Sequence, residues 1–483
     1  MNSKVIFFIV YSLICIIYFV FAIYKYPLLG NDAYNFLPGA LMYNINHEMV
    51  NHFSEVAKWF DPQYHRYIYY PPLYTIVISK MLIFNDMNGL YIAIYMLFIL
   101  NITSMAVVIH ISAKSALIKS NKNFIYIIGS FFLLCFASAI EYSLGRPEIL
   151  ATLIITNIIA SYLCVSKKLK FFIIGALMSC LLFTQLIATL IVGLIIVYFI
   201  IFISNNRFLD STLFAAGILA GSILVVFFLL PYSISDYFIP ICNHIKYASG
   251  IYYFDLFGIK FYHIINNHYA FVILWIFISI YYILRRHNNN ITVNKYQTIY
   301  TITLLAFVFY IWFKNLHAAY TIFLFLPLSI VFIIQNLVYN KNTIGELGII
   351  IFVCILTTAS FGRKVVNFYQ FIDKKGITYE QFDSIVGKIT DTIPLHTKIG
   401  VSESLWPRFI KYNNVTITTH LQTSDSSIKY LFFQQANYSK STPDSIAGYS
   451  LLFCNYINTP NQLFGVKIGS SIPGYQTAIY KKK

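Results

Sequence analysis

The sequence predicts a mainly α, polytopic membrane protein of about eleven spans, followed by a small C-terminal soluble α/β domain. Three observations lead there. Apolar residues make up 58% of the 483-residue chain against 11% charged, and mean hydropathy is +0.68, far from the composition of a water-soluble domain. Apolar runs recur at the length needed to cross hydrocarbon as helices, the form that satisfies every backbone N–H and C=O within one segment. After Gly362 the runs stop, and polar and charged residues return.

The first run, Val5 to Tyr24, follows Lys4 and has no small-residue cleavage site, so it is expected to be a retained signal anchor. Further runs lie at 89–111, 124–139, 149–165, 171–203, 211–230, 269–284, 298–313, 317–337 and 344–361. The run 171–203 exceeds one crossing and reads as two short helices turning near Thr184 and Gln185. A weaker apolar helix at 73–84 reads as short or re-entrant.

Basic residues gather between runs, at Lys4, Lys114, Lys119, Lys122, Lys167, Lys168, Lys170, Arg207, Arg285, Arg286 and Lys341. All can be cytoplasmic together if 73–84 makes no full crossing. The loop 25–72, the Glu141–Glu148 turn, Thr184-Gln185, the loop 231–268, residues 314–317 and the C-terminal domain then share the outer face. This predicts a multi-pass protein of a bacterial-type inner membrane with an extracytoplasmic site. The formal charge of +16 is attributed largely to juxtamembrane loops and the terminal lysines. Anionic lipid headgroups, not nucleic acid, are the partner this implies.

Five of seven cysteines fall in apolar runs, leaving Cys242 and Cys454 outside. A disulfide between those two is one expectation; no spacing suggests a metal site. Domains are expected at 1–362 and 363–483. In the second, strands are predicted at 398–402, 415–419, 429–434 and 477–481, with a helix near 403–411. There is no glycine-rich phosphate loop, so nucleotide hydrolysis has no support.

Chemistry concentrates in the loop after the first run. It contains Gly30-Asn31-Asp32-Ala33-Tyr34 and ends His65-Arg66-Tyr67-Ile68-Tyr69-Tyr70-Pro71-Pro72-Leu73-Tyr74. Further on stand Tyr142-Ser143-Leu144-Gly145-Arg146-Pro147-Glu148 and a glycine-containing segment from Gly175 to Gln185. In order and spacing these resemble the type C membrane glycosyltransferase superfamily, nearest its protein O-mannosyltransferase and aminoarabinose transferase branch. The likeness covers roughly residues 5–230. It departs where the family often has Asp-Glu for Asn31-Asp32, Lys for Gln185, and a basic residue for Tyr70.

The resemblance implies transfer of a sugar from a polyprenyl-phosphate donor to a glycan, lipid or protein hydroxyl, by inversion, with no cofactor and no metal. Asp32 is then the catalytic base; capping a helix that begins near Ala33 is the structural alternative. Arg146 is the leading phosphate ligand, a guanidinium fork being suited to phosphate oxygens. A salt bridge to Glu141 or Glu148 is its alternative. Arg66, Lys314, His317 and Gln185 are candidate phosphate or donor contacts. Tyr34, Tyr70, Glu148, His244 and Lys246 are candidate cavity residues, since aromatic faces with a few polar groups suit sugar rings and prenyl chains. A lipid-linked polysaccharide polymerase or ligase, and a polyprenyl-lipid or glycan transporter or flippase, are the competing readings. Apolar runs nearly free of charge disfavour transport.

Overall fold

A computed structural model of the chain describes, in the main, residues 2–29, 33–51, 72–115, 119–140, 144–165, 169–233, 361–402, 404–417, 426–434, 444–455 and 474–483, with short pieces elsewhere. The first run forms α1 (Ser3–Ile23), whose Asn2 side chain caps it by accepting from Lys4 N–H at 3.0 Å. Val5, Ile9, Leu13, Ile16, Phe19 and Ile23 stay exposed on one side of this helix, while Phe7, Ile14, Tyr18 and Phe21 are buried on the other. An outward stripe that is apolar but for Ser12 would be unfavourable in water and is suited to lipid.

α2 (Ala33–Asn46) and the short α3 (Leu73–Met81) follow. α4 (Met87–Ser115) starts where Asp86 accepts from Gly89 N–H at 2.9 Å. Then come α5 (Lys119–Ile140), α6 (Glu148–Cys164), α7 (Lys170–Leu182), α8 (Leu186–Phe202) and α9 (Arg207–Leu224), the last continuing through a π turn at Val225–Leu229. The run 171–203 is thus two helices joined at Phe183–Gln185, as its length demands.

The described residues do not support a count of about eleven crossings. Three of their helices are long and apolar enough to cross a membrane, Ser3–Ile23, Met87–Ser115 and Arg207–Leu229, beside four shorter apolar ones. At about 1.5 Å per residue, α6 falls short of the roughly 30 Å hydrocarbon layer. The expected runs 269–284, 298–313 and 344–361, and most of 317–337, lie outside the described residues.

Ser3 Oγ donates to Asn123 Oδ1 at 2.9 Å, which brings the first turns of α1 and α5 to one end of the bundle. That end carries Lys4, Lys119 and Lys122, as charge grouping predicts. At the opposite end Tyr95 of α4 donates to the Tyr26 carbonyl at 2.6 Å. α7 and α9 meet along glycines: a Cβ on Gly175 would stand 2.2 Å from Phe214 O, and one on Gly217 2.0 Å from Phe172 O. Ser179 Oγ donates across the seam to Ile218 O at 2.7 Å.

Beyond the bundle, α10 (Tyr379–Thr390) opens on a capping box in which Thr378 and Gln381 exchange side-chain and backbone bonds. The strands are β1 (Ile399–Val401), β2 (Val415–Ile417), β3 (Tyr430–Phe433), β4 (Ser445–Ile446), β5 (Tyr449–Cys454), the hairpin β6 (Gln462–Leu463) and β7 (Val466–Lys467), and β8 (Ala478–Lys482). Six of them make one mixed sheet ordered β2-β1-β3-β8-β5-β4, parallel at β2-β1-β3 and antiparallel beyond. Trp406, Phe409 and Phe432 fill its core, the last two with ring centres 4.7 Å apart. In place of the helix expected at 403–411 there is one 3-10 turn, Trp406–Phe409; Pro407 falls midway along that expected helix, where its missing N–H and its ring would break the ladder. The Cys242–Cys454 disulfide is also corrected: both residues are thiols, Cys454 being fixed at the end of β5 opposite Ala478.

The sheet region is tied to the membrane helices at the residues after α1. Lys25, 5% exposed, ion-pairs with Glu380 at the start of α10 and lies over the Tyr379 ring at 5.5 Å. Tyr475 and Tyr91 hydroxyls share a 3.1 Å hydrogen bond, and Tyr91 donates to Pro27 O at 2.7 Å. Burial raises the Glu380 carboxyl, but the Lys25 ammonium outweighs it and leaves the group below its ordinary value.

Two outcomes follow from these contacts. A carboxyl lowered by folding stabilises fully above its unfolded value of about 4.3 and less as pH falls through the folded one. With Glu380 60% exposed, the effect is at most about 1 kcal/mol. Thermal unfolding in detergent should therefore lose stability between about pH 5 and 3 by a small component that Glu380→Gln abolishes. Gly175→Val should lower stability by at least about 1–3 kcal/mol in the same measurement, since α7 and α9 cannot close over a side chain there.

Candidate functional site

Four sequence segments singled out for chemistry meet in space. Gly145 turns the chain with φ +78°, a conformation that favours glycine, and a Cβ there would stand 2.7 Å from the Ala33 Cβ and 3.2 Å from Leu37 Cδ1. The turn before α6 is thereby pressed onto the start of α2. Ala33 directly follows Asp32 in the chain, and Gly145 directly precedes Arg146.

Arg146 makes a two-point contact with Glu148, Nε to Oε2 at 3.1 Å and an Nη to Oε1 at 3.0 Å. Both are buried, Glu148 at 1% exposure. The guanidinium carbon lies 5.7 Å from the centre of the Phe36 ring of α2, a cation–π distance. Thr152 Oγ1 donates to Glu148 O at 2.7 Å, and Asn101, midway along α4, donates to Ile149 O at 3.0 Å. The pair therefore sits level with the middle of α4, within the bundle.

The Pro-Pro entry reaches the same place. Phe36 stands 6.5 Å, edge to face, from Tyr74 at the start of α3, and Thr75 Oγ1 donates to Phe36 O at 3.4 Å. Leu73 N–H donates to Phe183 O at 2.9 Å, joining α3 to the turn that carries Thr184 and Gln185. Glu148 is within electrostatic reach of Tyr74. The Tyr74 hydroxyl and the Gln185 Oε1 are both buried without a hydrogen-bond partner among the described residues.

Of the expected site residues, Arg146, Glu148 and Gln185 are brought to this cluster. Tyr34 lies half-buried on α2, its carbonyl accepting from Asn51 Nδ2 at 2.9 Å. Arg146 forms the salt bridge to Glu148 that was its structural alternative. Asp32, Arg66, Tyr70, Glu141, His244, Lys246, Lys314 and His317 lie outside the described residues. α2 does begin at Ala33, where the sequence places a helix start. Two contributors went unassigned in the sequence: Phe36, which underlies the guanidinium, and Tyr74, the last residue of the Pro-Pro-Leu-Tyr entry. Phe36 is three residues beyond Ala33, on the same helix face, a spacing that signals contact only once the partner turn is known. Among the described residues no three His, Cys, Asp or Glu gather as metal ligands.

Fold and site together define a mainly helical membrane protein with a buried arginine–glutamate pair among its helices and a mixed sheet region at its C-terminal end. No protein-family model matches the chain, and no curated protein matches it. Among solved structures it is similar to the Archaeoglobus fulgidus oligosaccharyltransferase in its apo form, at 12% identity and TM-score 0.46 over 88% of this chain and 69% of that one. The same oligosaccharyltransferase in complex with Zn and sulfate matches at 13% and 0.47 over 88% and 67%. Tethered with an acceptor peptide, it matches at 12% and 0.45 over 88% and 69%.

The Arg146–Glu148 pair makes a stability prediction. Removing one member of a buried pair leaves the other uncompensated, at a cost of about 3–5 kcal/mol. Glu148→Met should destabilise the purified protein by that order, and adding Arg146→Met should restore much of the loss, read as thermal midpoints of both variants.

Proposed function

We propose that the chain is an integral-membrane glycosyltransferase that moves a sugar from a polyprenyl-phosphate donor to an acceptor hydroxyl on the outer face of the membrane. The observation that carries this reading is the convergence just described. Segments resembling successive type C motifs, distant in sequence, pack on one another around Arg146.

In the proposed reaction the acceptor oxygen attacks the anomeric carbon as Asp32 takes its proton. The bond from that carbon to the phosphate oxygen breaks, and the polyprenyl phosphate leaves with the electron pair, inverting the configuration. An ionised aspartate can orient the hydroxyl and collect the proton as the new bond forms. The leaving phosphate needs cations placed in advance. Arg146 serves there, its plane set by Glu148 and Phe36, and Arg66, Lys314 and His317 are assigned as further phosphate contacts. Tyr34, Tyr70, Glu148, His244 and Lys246 complete the substrate cavity. A pair recessed to the middle of α4 suits a donor whose lipid stays in hydrocarbon. No metal takes part in the proposed step.

Purified protein in lipid discs, given radiolabelled polyprenyl-phosphate sugars and candidate glycolipid or peptide acceptors, should transfer label with inversion and without added metal. Asp32→Asn should lower turnover by about 10²–10⁴-fold. Full turnover by that variant would remove Asp32 from the mechanism.

A further inference from the structure

Two buried polar atoms, on segments that abut one another, have no role in the reaction as written. Tyr74 is 1% exposed and its hydroxyl meets no partner among the described residues; Gln185 is 7% exposed and its Oε1 meets none either. The backbone bond from Leu73 N–H to Phe183 O, at 2.9 Å, holds their two segments together. A buried polar group left unmet costs about 1–3 kcal/mol, and two on abutting segments point to a polar occupant.

The chemistry of the two atoms narrows what that occupant is. A tyrosine hydroxyl both donates and accepts, whereas an amide oxygen only accepts. An ionised phosphate also only accepts, so it would leave Gln185 Oε1 as unmet as before. A hydroxyl satisfies both, accepting from Tyr74 and donating to Gln185. The aromatic edge of Tyr74 against Phe36 adds the apolar wall that the C–H face of a sugar ring packs against.

We propose that Tyr74 and Gln185 form a subsite for a ring hydroxyl of the donor sugar, and that they set which sugar is accepted. This rests on the glycosyltransferase reading and gives Gln185 a sugar hydroxyl as partner in place of phosphate.

The test compares thermal midpoints of the full-length protein with decaprenyl phosphate alone and with decaprenyl phosphates bearing mannose, glucose or arabinose, each titrated to an apparent affinity. At least one sugar-bearing lipid should bind about tenfold tighter than the bare phosphate, the order of one or two hydrogen bonds. Tyr74→Phe and Gln185→Met should each remove that excess and leave the affinity for bare decaprenyl phosphate unchanged. Tyr74→Phe deletes only an unpartnered hydroxyl, and Gln185→Met is a second, independent route should either variant fold poorly.

An excess that survives both variants, an equal loss for bare and sugar-bearing lipid, or no excess for any sugar in the wild type would each overturn the subsite. The radiolabel transfer assay separates the two ideas. Transfer by the wild type without a sugar-dependent excess retires the subsite and keeps the reaction. A sugar-dependent excess lost in both variants, with no transfer to any acceptor, keeps the subsite and retires the reaction.

Discussion

The two-point contact between Arg146 and Glu148 is the constraint around which the neighbouring helices are arranged. Withdrawing two charges from water is costly, and a buried pair is tolerable only when its geometry is good and its surroundings complete the polar groups. Each surrounding element answers one of those demands. Gly145 lets the turn lie flat on α2, Phe36 presents a ring to the guanidinium, and α6 begins at Glu148 so that its first turn follows directly from the pair. Asn101 fixes the depth of that turn by reaching from mid-α4 to the Ile149 carbonyl. Positions of α2, α4 and α6 are thereby interdependent, although Ala33, Asn101 and Arg146 are far apart in sequence.

The same scarcity of water explains how the ends of the long helices are finished. A carbonyl that leaves a helix inside or near hydrocarbon needs a donor from elsewhere in the protein. Tyrosine hydroxyls provide it repeatedly: Tyr18 to Ala137 O at 2.7 Å, Tyr91 to Pro27 O at 2.7 Å, and Tyr95 to Tyr26 O at 2.6 Å. A chain with 40 tyrosines can thus cross-link its backbone at the bundle ends without importing charge. Rings packed edge to face, such as Tyr18 on Phe98 and Tyr95 on Phe21, keep those hydroxyls aimed.

Apolar runs made α1 and α4 through α9 legible in the sequence to within a few residues, because hydrocarbon demands continuous apolar helices whatever their neighbours. In the C-terminal region β1, β2, β3 and β8 were legible from short apolar stretches between polar ones. α10 was not, although Thr378 and Gln381 spell a capping box three residues apart and its apolar positions repeat helically. β5 was missed too, since Tyr449–Cys454 pairs with β8 across a bulge between Leu451 and Phe453, and alternation breaks at a bulge. For the site, residue types were legible and juxtaposition was not. Nothing local to Gly145 announces that Ala33 will lie against it, and nothing local to Leu73 announces Phe183.

The C-terminal region acquires a physical role from where it touches the rest. Its contacts fall on both flanks of the polar loop that begins after α1. On one flank Lys25, Tyr26 and Pro27 are held by Glu380, Phe368, Phe371 and, through Tyr91, Tyr475. On the other, Phe53 packs its ring 5.8 Å from Trp406 of the sheet core. Between them, Asn51 binds the carbonyls of Tyr34 and Asn35 and accepts from Phe53 N–H. These contacts add to the burial of Leu29, Phe36 and Leu37 in fixing the segment that carries α2, and each must offset the entropy of ordering the backbone. Because these contacts enclose the residues that lead into α2, the sheet region acts on the site by restraining the segment that delivers Ala33, and with it the start of α2, to the Arg146 turn.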